Sequence, residues 1–327
     1  MTGIRASAGL MAALGLACAF AWHIAVGPKV IPLGTVADAF LSYDDMVFDH
    51  VVVRELRLPR ALMAVAVGAA LSVAGALMQG VTRNPLADPG LLGLLAGASF
   101  AVVLGAFTGL SGPAAIPALA ALGALGAAVI VWSLASAVPG GATPMTLVLA
   151  GAAVTAFLAA LTAILLLLDE MSFDSLRVWL TGSLTGQPGQ AGVWAAAWLL
   201  LGLVVALGAA RQVTALAMGD DAATGLGVDV RQLRLAILLS VVALTAAAVA
   251  LAGPMAFVGL VIPHIVRLIV GHDYRVIVPG AALAGAIFML LADIAARMLL
   301  APVEISTGLI TALLGAPFFI WLVRARL

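Results

Sequence analysis

Residues 211–234 read RQVTALAMGDDAATGLGVDVRQLR, a polar island between two apolar runs, Trp194–Ala210 and Leu235–Leu251. The island holds Arg211, Arg231 and Arg234 together with Asp220, Asp221 and Asp229. Asp220 or Asp221 is placed to cap a short helix that Gly225 or Gly227 would end. Asp229 is placed to start a second helix running into the next apolar run. A plain connector needs no such punctuation. The island therefore reads as an ordered handle for a cytoplasmic partner, covalently tied to the helices on either side.

Those flanking runs have the length that crosses a bilayer as helix, about 17–25 residues. The rest of the chain repeats them. It has 327 residues, 64% hydrophobic and 9% charged, with a mean hydropathy of +1.23. A soluble domain carries about 25% charged residues. The fold class is all-α polytopic membrane protein, one transmembrane domain over 1–327 with 211–234 as a loop within it. The alternation of a membrane β-barrel is absent. Fifteen basic and fifteen acidic residues cancel, which argues against nucleic acid as a partner. Cys18 lies in an apolar run and reads as a packed or lipid-facing thiol. Lys29 is the only lysine and follows Gly27-Pro28, so no GxxxxGK[ST] phosphate loop exists. The chain is not expected to be an enzyme; if ATP drives it, another chain hydrolyses it.

Ten spans are expected, at about Ala6–Val26, Pro59–Val81, Leu91–Gly109, Ala114–Val138, Pro144–Leu168, Gly192–Ala210 and Leu235–Ala252, then a segment ending at Val270, then Ile277–Leu299 and Ser306–Val323. Gly253-Pro254 breaks the seventh, Gly259 and Pro263-His264 interrupt the eighth, and a short, broken segment at bilayer depth faces protein or water. The first run also has the outline of a signal peptide behind Arg5, but its length suits a retained span. An even count places both termini in the cytoplasm. Arg5, Arg83, Arg211, Arg231, Arg234, Arg267, Arg275, Arg324 and Arg326 are then inside. Lys29, Arg54, Arg57, Arg60, Arg177 and Arg297 are not, which agrees with the positive-inside rule. The cluster Arg54, Arg57 and Arg60 has two readings: an acidic partner outside the cell, or snorkelling to lipid phosphates.

Within the second span Gly68, Ser72, Gly75 and Ala76 read as a helix-packing face, and the amide of Gln79 as a candidate to line a path. Asn84-Pro85-Leu86-Ala87-Asp88-Pro89-Gly90 is a compact turn, with Asp88 as a cap and Pro89 in the first helical position. Residues 175–184 suggest an interfacial helix. Asp293 and Arg297, four apart on the ninth span, share a face and can pair, with Glu304 near them in the last outer loop. His264 reads as a satisfied helix-end histidine. With no second ligand at suitable spacing, no metal site is assigned.

Taken together, several stretches resemble the FecCD-type permeases of bacterial ABC importers, which move iron–siderophores, haem and vitamin B12. They are Arg57-Leu-Pro-Arg60, Gly68–Gln79, Asn84–Gly90, Trp179–Leu184, Gly219–Val228, Gly253–His264, Ala292–Arg297 and Leu314–Phe318. The resemblance implies a permease like that of the vitamin B12 importer: ten spans, two copies or a pair of homologues, and an inner-membrane location. It implies two cytoplasmic ATPases, which would hold the ATP and magnesium, and an external binding protein; no cofactor is expected in this chain. It places the ATPase-coupling segment at Gly219, Asp220, Asp221, Ala222, Ala223, Thr224, Gly225, Leu226, Gly227 and Val228. It places binding-protein docking at Arg57, Arg60 and Arg297, near Glu304. The path and gate fall at Gln79, Asn84 and Leu86, and at Pro144 and Met145. A ferric siderophore is the expected substrate, with haem or vitamin B12 as alternatives. The rival of another class is a secondary transporter driven by an ion gradient, which needs buried acids along its path.

Overall fold

The computed structural model describes residues 2–110, 115–139, 144–168, 179–185 and 189–326, and among these there is helix, turn and loop but no strand. In chain order the helices are α1 (Thr2–Ala25), α2 (Leu33–Leu41), α3 (Phe48–Thr82), α4 (Leu94–Phe107), α5 (Ala115–Ala137) and α6 (Pro144–Leu168). They continue as α7 (Gly189–Ala217), α8 (Asp220–Gly225), α9 (Val230–Ala252), α10 (Val258–Val270), α11 (Tyr274–Met298) and α12 (Thr307–Arg326). Each expected apolar run overlaps one of these helices among the described residues. Six of them, α3, α5, α6, α7, α9 and α11, are long and apolar enough to cross a membrane; the apolar parts of α1, α4, α10 and α12 are shorter. The suggested interfacial helix over 175–184 falls largely outside the described residues.

Burial sorts the helices into layers. The apolar window of α3 is 83% buried and that of α9 67%, against 22% for α6 and 28% for α7. The inner layer is therefore α3 and α9 with α11, and α3 packs along α11, α9 and α10. Glycine makes this closeness possible. A Cβ on Gly68 would stand 2.2 Å from the Gly285 carbonyl oxygen of α11, and one on Gly75 would stand 1.9 Å from that of Gly259 in α10. The small-residue face of α3 is thus a packing face for two helices at once. Gly75→Val is expected to push α10 off α3 and to cost about 3 kcal/mol, the upper end for overpacking. A fall in the thermal midpoint of the detergent-purified chain measures it.

Two boundaries differ from the sequence expectation. The second long helix starts at Phe48 rather than near Pro59, by way of a π-helical turn over Val52–Arg57. Pro59 has no N–H and its ring crowds the carbonyl one turn back, so the ladder widens and Leu58 N–H donates to Val53 O. The polar island is also shorter than its composition suggests. Residues 211–217 continue α7 with Val213 and Leu216 fully buried, and residues 230–234 already belong to α9. Only Met218–Asp229 remains as a loop, and it contains α8.

Candidate functional site

Polar chemistry gathers at the two ends of this bundle. At one end lies α8, six residues long, N-capped by Gly219 without a side-chain hydrogen bond. The Asp220 carboxylate does not cap the helix as expected. It ion-pairs with Arg83, at the end of α3, and accepts from Arg234 Nη2 of α9 at 2.9 Å. Asp229 does cap α9, accepting from Gln232 N–H at 3.0 Å. Ala223 is fully buried and seats α8 on the body, while Asp221, Ala222, Thr224, Gly225, Leu226 and Gly227 face outward. Leu226 is 66% exposed, a large apolar side chain with no cover.

Beside α8 the turn over 84–90 is self-bonded. Asn84 Oδ1 accepts from Leu86 N–H at 3.0 Å, and Asp88 Oδ1 from Gly90 N–H at 2.7 Å. The carboxylate of Asp88 also accepts from Leu260 N–H, in the first turn of α10. It therefore meets the first turn of a helix more than 160 residues away in sequence, where Leu260 N–H also donates to the N-cap carbonyl of Phe257 at 3.1 Å. Thr82, Asn84, Ala87, Asp88 and Leu92 line a small cleft with Leu147 and Val148 of α6. Of the expected gate segments, Asn84 thus lies in one cleft with the first turns of α6, while Leu86, Pro144 and Met145 are not in its lining. Leu86 is half-buried and Met145 is exposed.

Gln79 has a different setting from the one expected. It is buried, and its Nε2 donates to Leu260 O at 3.2 Å and, more weakly, to Gly259 O at 3.4 Å, while its Oε1 accepts from Arg267 at 2.8 Å. Pro263 explains the need: lacking an N–H, it leaves the Gly259 carbonyl without its helical donor. Gln79 reaches that carbonyl from α3 at 3.4 Å and is itself buried between α3 and α10.

Burial pushes the Asp88 carboxyl up from 3.8 to about 6, against the pull of its two N–H donors. The folded chain therefore holds this proton more tightly than the unfolded one. The contribution to stability is fully present below about pH 4 and is lost as pH rises through about 6, by about 3 kcal/mol in all. Thermal unfolding of the detergent-solubilised chain between about pH 4.5 and 7.5 tests this: Asp88→Asn is expected to flatten that part of the profile.

At the other end Asp293 of α11 is fully buried at the centre of a charged cluster. Arg60 donates through Nε to Asp293 Oδ2 at 2.8 Å and through Nη2 to Oδ1 at 3.0 Å. Thr307 donates to Oδ1 at 2.8 Å, and His23 Nε2 stands 2.8 Å from Oδ2. Arg297 Nε lies 3.3 Å from Oδ2, so the expected pair with Asp293 exists. The outer nitrogen of Arg60 reaches Glu304 at 2.8 Å. Arg57 and Arg297, expected on a docking face, are instead buried inside. Arg57 Nη1 donates to Ile24 O and Ala25 O at 2.7 Å, and Arg297 Nη1 donates to Val26 O at 3.0 Å. The carbonyl end of α1 has no intrahelical donors left, and these guanidiniums supply them. Of the four residues expected to dock a partner, Glu304 is exposed and Arg60 stands at the rim. His23 and Thr307 were not singled out in the sequence; a histidine inside an apolar run was the one available signal.

The chain matches the profile of the FecCD transport family over residues 14–325. It is 42% identical to the iron(3+)-hydroxamate import system permease protein FhuB of Bacillus subtilis, over 96% of this chain and 82% of that one. It is 41% identical to the ferric enterobactin transport system permease protein FepD of Escherichia coli, over 95% and 93%. Its fold superposes with a TM-score of 0.82 on a metal-chelate type ABC transporter solved in an inward-facing conformation, at 27% identity and over 98% of this chain and 99% of that one.

Proposed function

The chain belongs to the FecCD transport family, and on that premise we propose that it carries a ferric siderophore inward as the permease of an ATP-driven importer. It is a multi-pass inner-membrane permease subunit of the ABC importer type. The observation that supports the siderophore reading is full-length likeness, at about two residues in five, to permeases named for ferric hydroxamate and ferric enterobactin. In this reading two copies of the chain, or this chain and a homologue, enclose a central path. Separate ATPases grip Gly219–Val228 from the cytoplasm, and the exposed face of α8 is what they would touch. An external binding protein delivers the chelate and docks on the rim formed by Arg60 and Glu304, with exposed Arg54 nearby in sequence; Arg57 and Arg297 support that rim from behind. ATP and magnesium belong to the partner ATPase, and this chain's residues contribute no catalytic group.

Mechanically, nucleotide binding closes the ATPases and displaces α8, and the helices joined to it tilt between outward-open and inward-open arrangements. The ion-gradient rival needs an ionisable acid free to load and unload. Asp293, the buried acid on a long apolar helix, is instead neutralised by Arg60 and Arg297, and buried Asp88 lies in a turn between apolar helices, not within one. Uptake of radio-iron ferric hydroxamate and ferric catecholate by cells lacking the gene, with and without the restored chain, tests the substrate class. Restored uptake that stops when ATP is depleted and survives a protonophore supports the proposal. Uptake of haem alone would replace the substrate, and uptake stopped by the protonophore alone would replace the mechanism.

A further inference from the structure

The turn over 83–90 is fastened at both ends to elements distant in sequence. At its far end Asp88 accepts from Leu260 N–H of α10, and at its near end Arg83 ion-pairs with Asp220 of α8. Arg83 is held at φ +51°, in the left-handed region that a residue with a Cβ rarely adopts. Glycine would sit there without strain. An arginine kept against the backbone's preference points to its guanidinium as the reason.

The covalent routes out of α8 make that guanidinium more telling. Toward α7 the chain passes through Gly219 at φ +127°, and toward α9 through Gly227 at φ +80°. A Cβ at either glycine would meet nothing within 4 Å. No side chain packs on either glycine position, although Gly219 N–H donates to Leu216 O at 3.1 Å and Gly227 N–H to Thr224 O at 2.9 Å; these routes carry motion of α8 to α7 and α9, and neither leads directly to the 83–90 turn. The Arg83–Asp220 pair bypasses both routes. Arg234, holding the same carboxylate at 2.9 Å, keeps Asp220 aimed.

We propose that Arg83 is a positioning residue that yokes the 83–90 turn to α8, so that displacement of α8 moves the turn directly. The inference deepens the proposed function, since it rests on α8 as the ATPase handle and on the turn as part of the gate. The pair is about two-fifths exposed on both sides, and exposed pairs contribute little to stability. Removing it should therefore leave the fold intact while it unlinks the two elements.

The test uses the full chain in lipid nanodiscs, first alone and then bound to its ATPase. Spin labels are placed through Leu86→Cys and Ala222→Cys in a Cys18→Ser background, and their separation is measured. The wild-type pair should give a narrow distance distribution. Arg83→Gly, which relieves the backbone strain, should broaden it, and Arg83→Lys should restore it. Salt near 1 M, where the screening length is about 3 Å, should broaden the first and leave Arg83→Gly unchanged. In the complex, Arg83→Gly should keep ATP hydrolysis and lose the movement of residue 86 on vanadate trapping. Asp220→Asn added to Arg83→Gly should bring no further loss, as expected of one shared link. An unaltered distribution and an unaltered nucleotide-driven shift in Arg83→Gly would overturn the yoke. Failure of any ATPase to bind the wild-type chain would instead overturn the functional reading, and the distances in the chain alone would still decide the yoke.

Discussion

Asp293→Ala is expected to leave little folded protein, with a loss of about 3–5 kcal/mol, the range for removing one partner from a buried ion pair. The geometry sets the size. The carboxylate is fully buried, and Arg60, Arg297, His23 and Thr307 all converge on it. Without it two guanidiniums face each other in a site closed to water, and Thr307 loses its acceptor. The damage should spread, because the four partners belong to α3, α11, α1 and α12. Glu304→Gln is the control. Glu304 meets the same Arg60 but from the exposed rim, where a pair contributes at most about 1 kcal/mol. Detergent-purified yield and thermal midpoint for both variants check the expectation. If Asp293→Ala melts within a few degrees of wild type, the cluster is not a structural keystone.

Leu226→Arg is expected to release the ATPase, weakening its attachment about 30-fold or more while the fold is untouched. Leu226 stands 66% exposed at the end of α8, and in the proposed reading it is the large apolar side chain of this loop that an ATPase cleft would bury. Burial of such an anchor contributes about 2 kcal/mol or more, which is the stated factor in affinity. Arginine adds a charge that a fitted cleft must desolvate. Co-purification of the ATPase and ATP-driven uptake should fall together, and the thermal midpoint of the chain alone should not move. Normal uptake with normal co-purification would remove α8 as the handle. Ala223→Asp distinguishes the two faces of the same helix, since Ala223 is fully buried beneath it. That change should loosen α8 from the body and lower the midpoint as well.

The short helix α8 and its flanks are legible in the sequence because their signals are local. Asp229 as a cap, the glycine that ends α8, and the apolar runs on either side all lie within about two helical turns of where they act. Asp220 differs from its expected role as a cap. A capping role needs only sequence neighbours, whereas Arg83 stands 137 residues away. The docking cluster divided on the same ground. Arg57 and Arg297 look alike in sequence as charges near a span end, but the carbonyl end of α1 claims both. Gln79 reads as a polar residue in a span, and only the tertiary structure shows what its amide holds: the Gly259 and Leu260 carbonyls and Arg267 of α10.

Composition and run length, by themselves, determined that this chain is a helical membrane body interrupted by a polar loop, with no GxxxxGK[ST] motif. Those properties follow from hydration and backbone hydrogen bonding, which act within a window of some twenty residues. Tertiary structure alone decided which charges lie inside and what they hold. Arg60 reaches Asp293 across 233 residues because Gly68 and Gly285 let α3 and α11 approach to backbone contact. Such a pairing depends on how closely two helices pack, and no short stretch of either one encodes it.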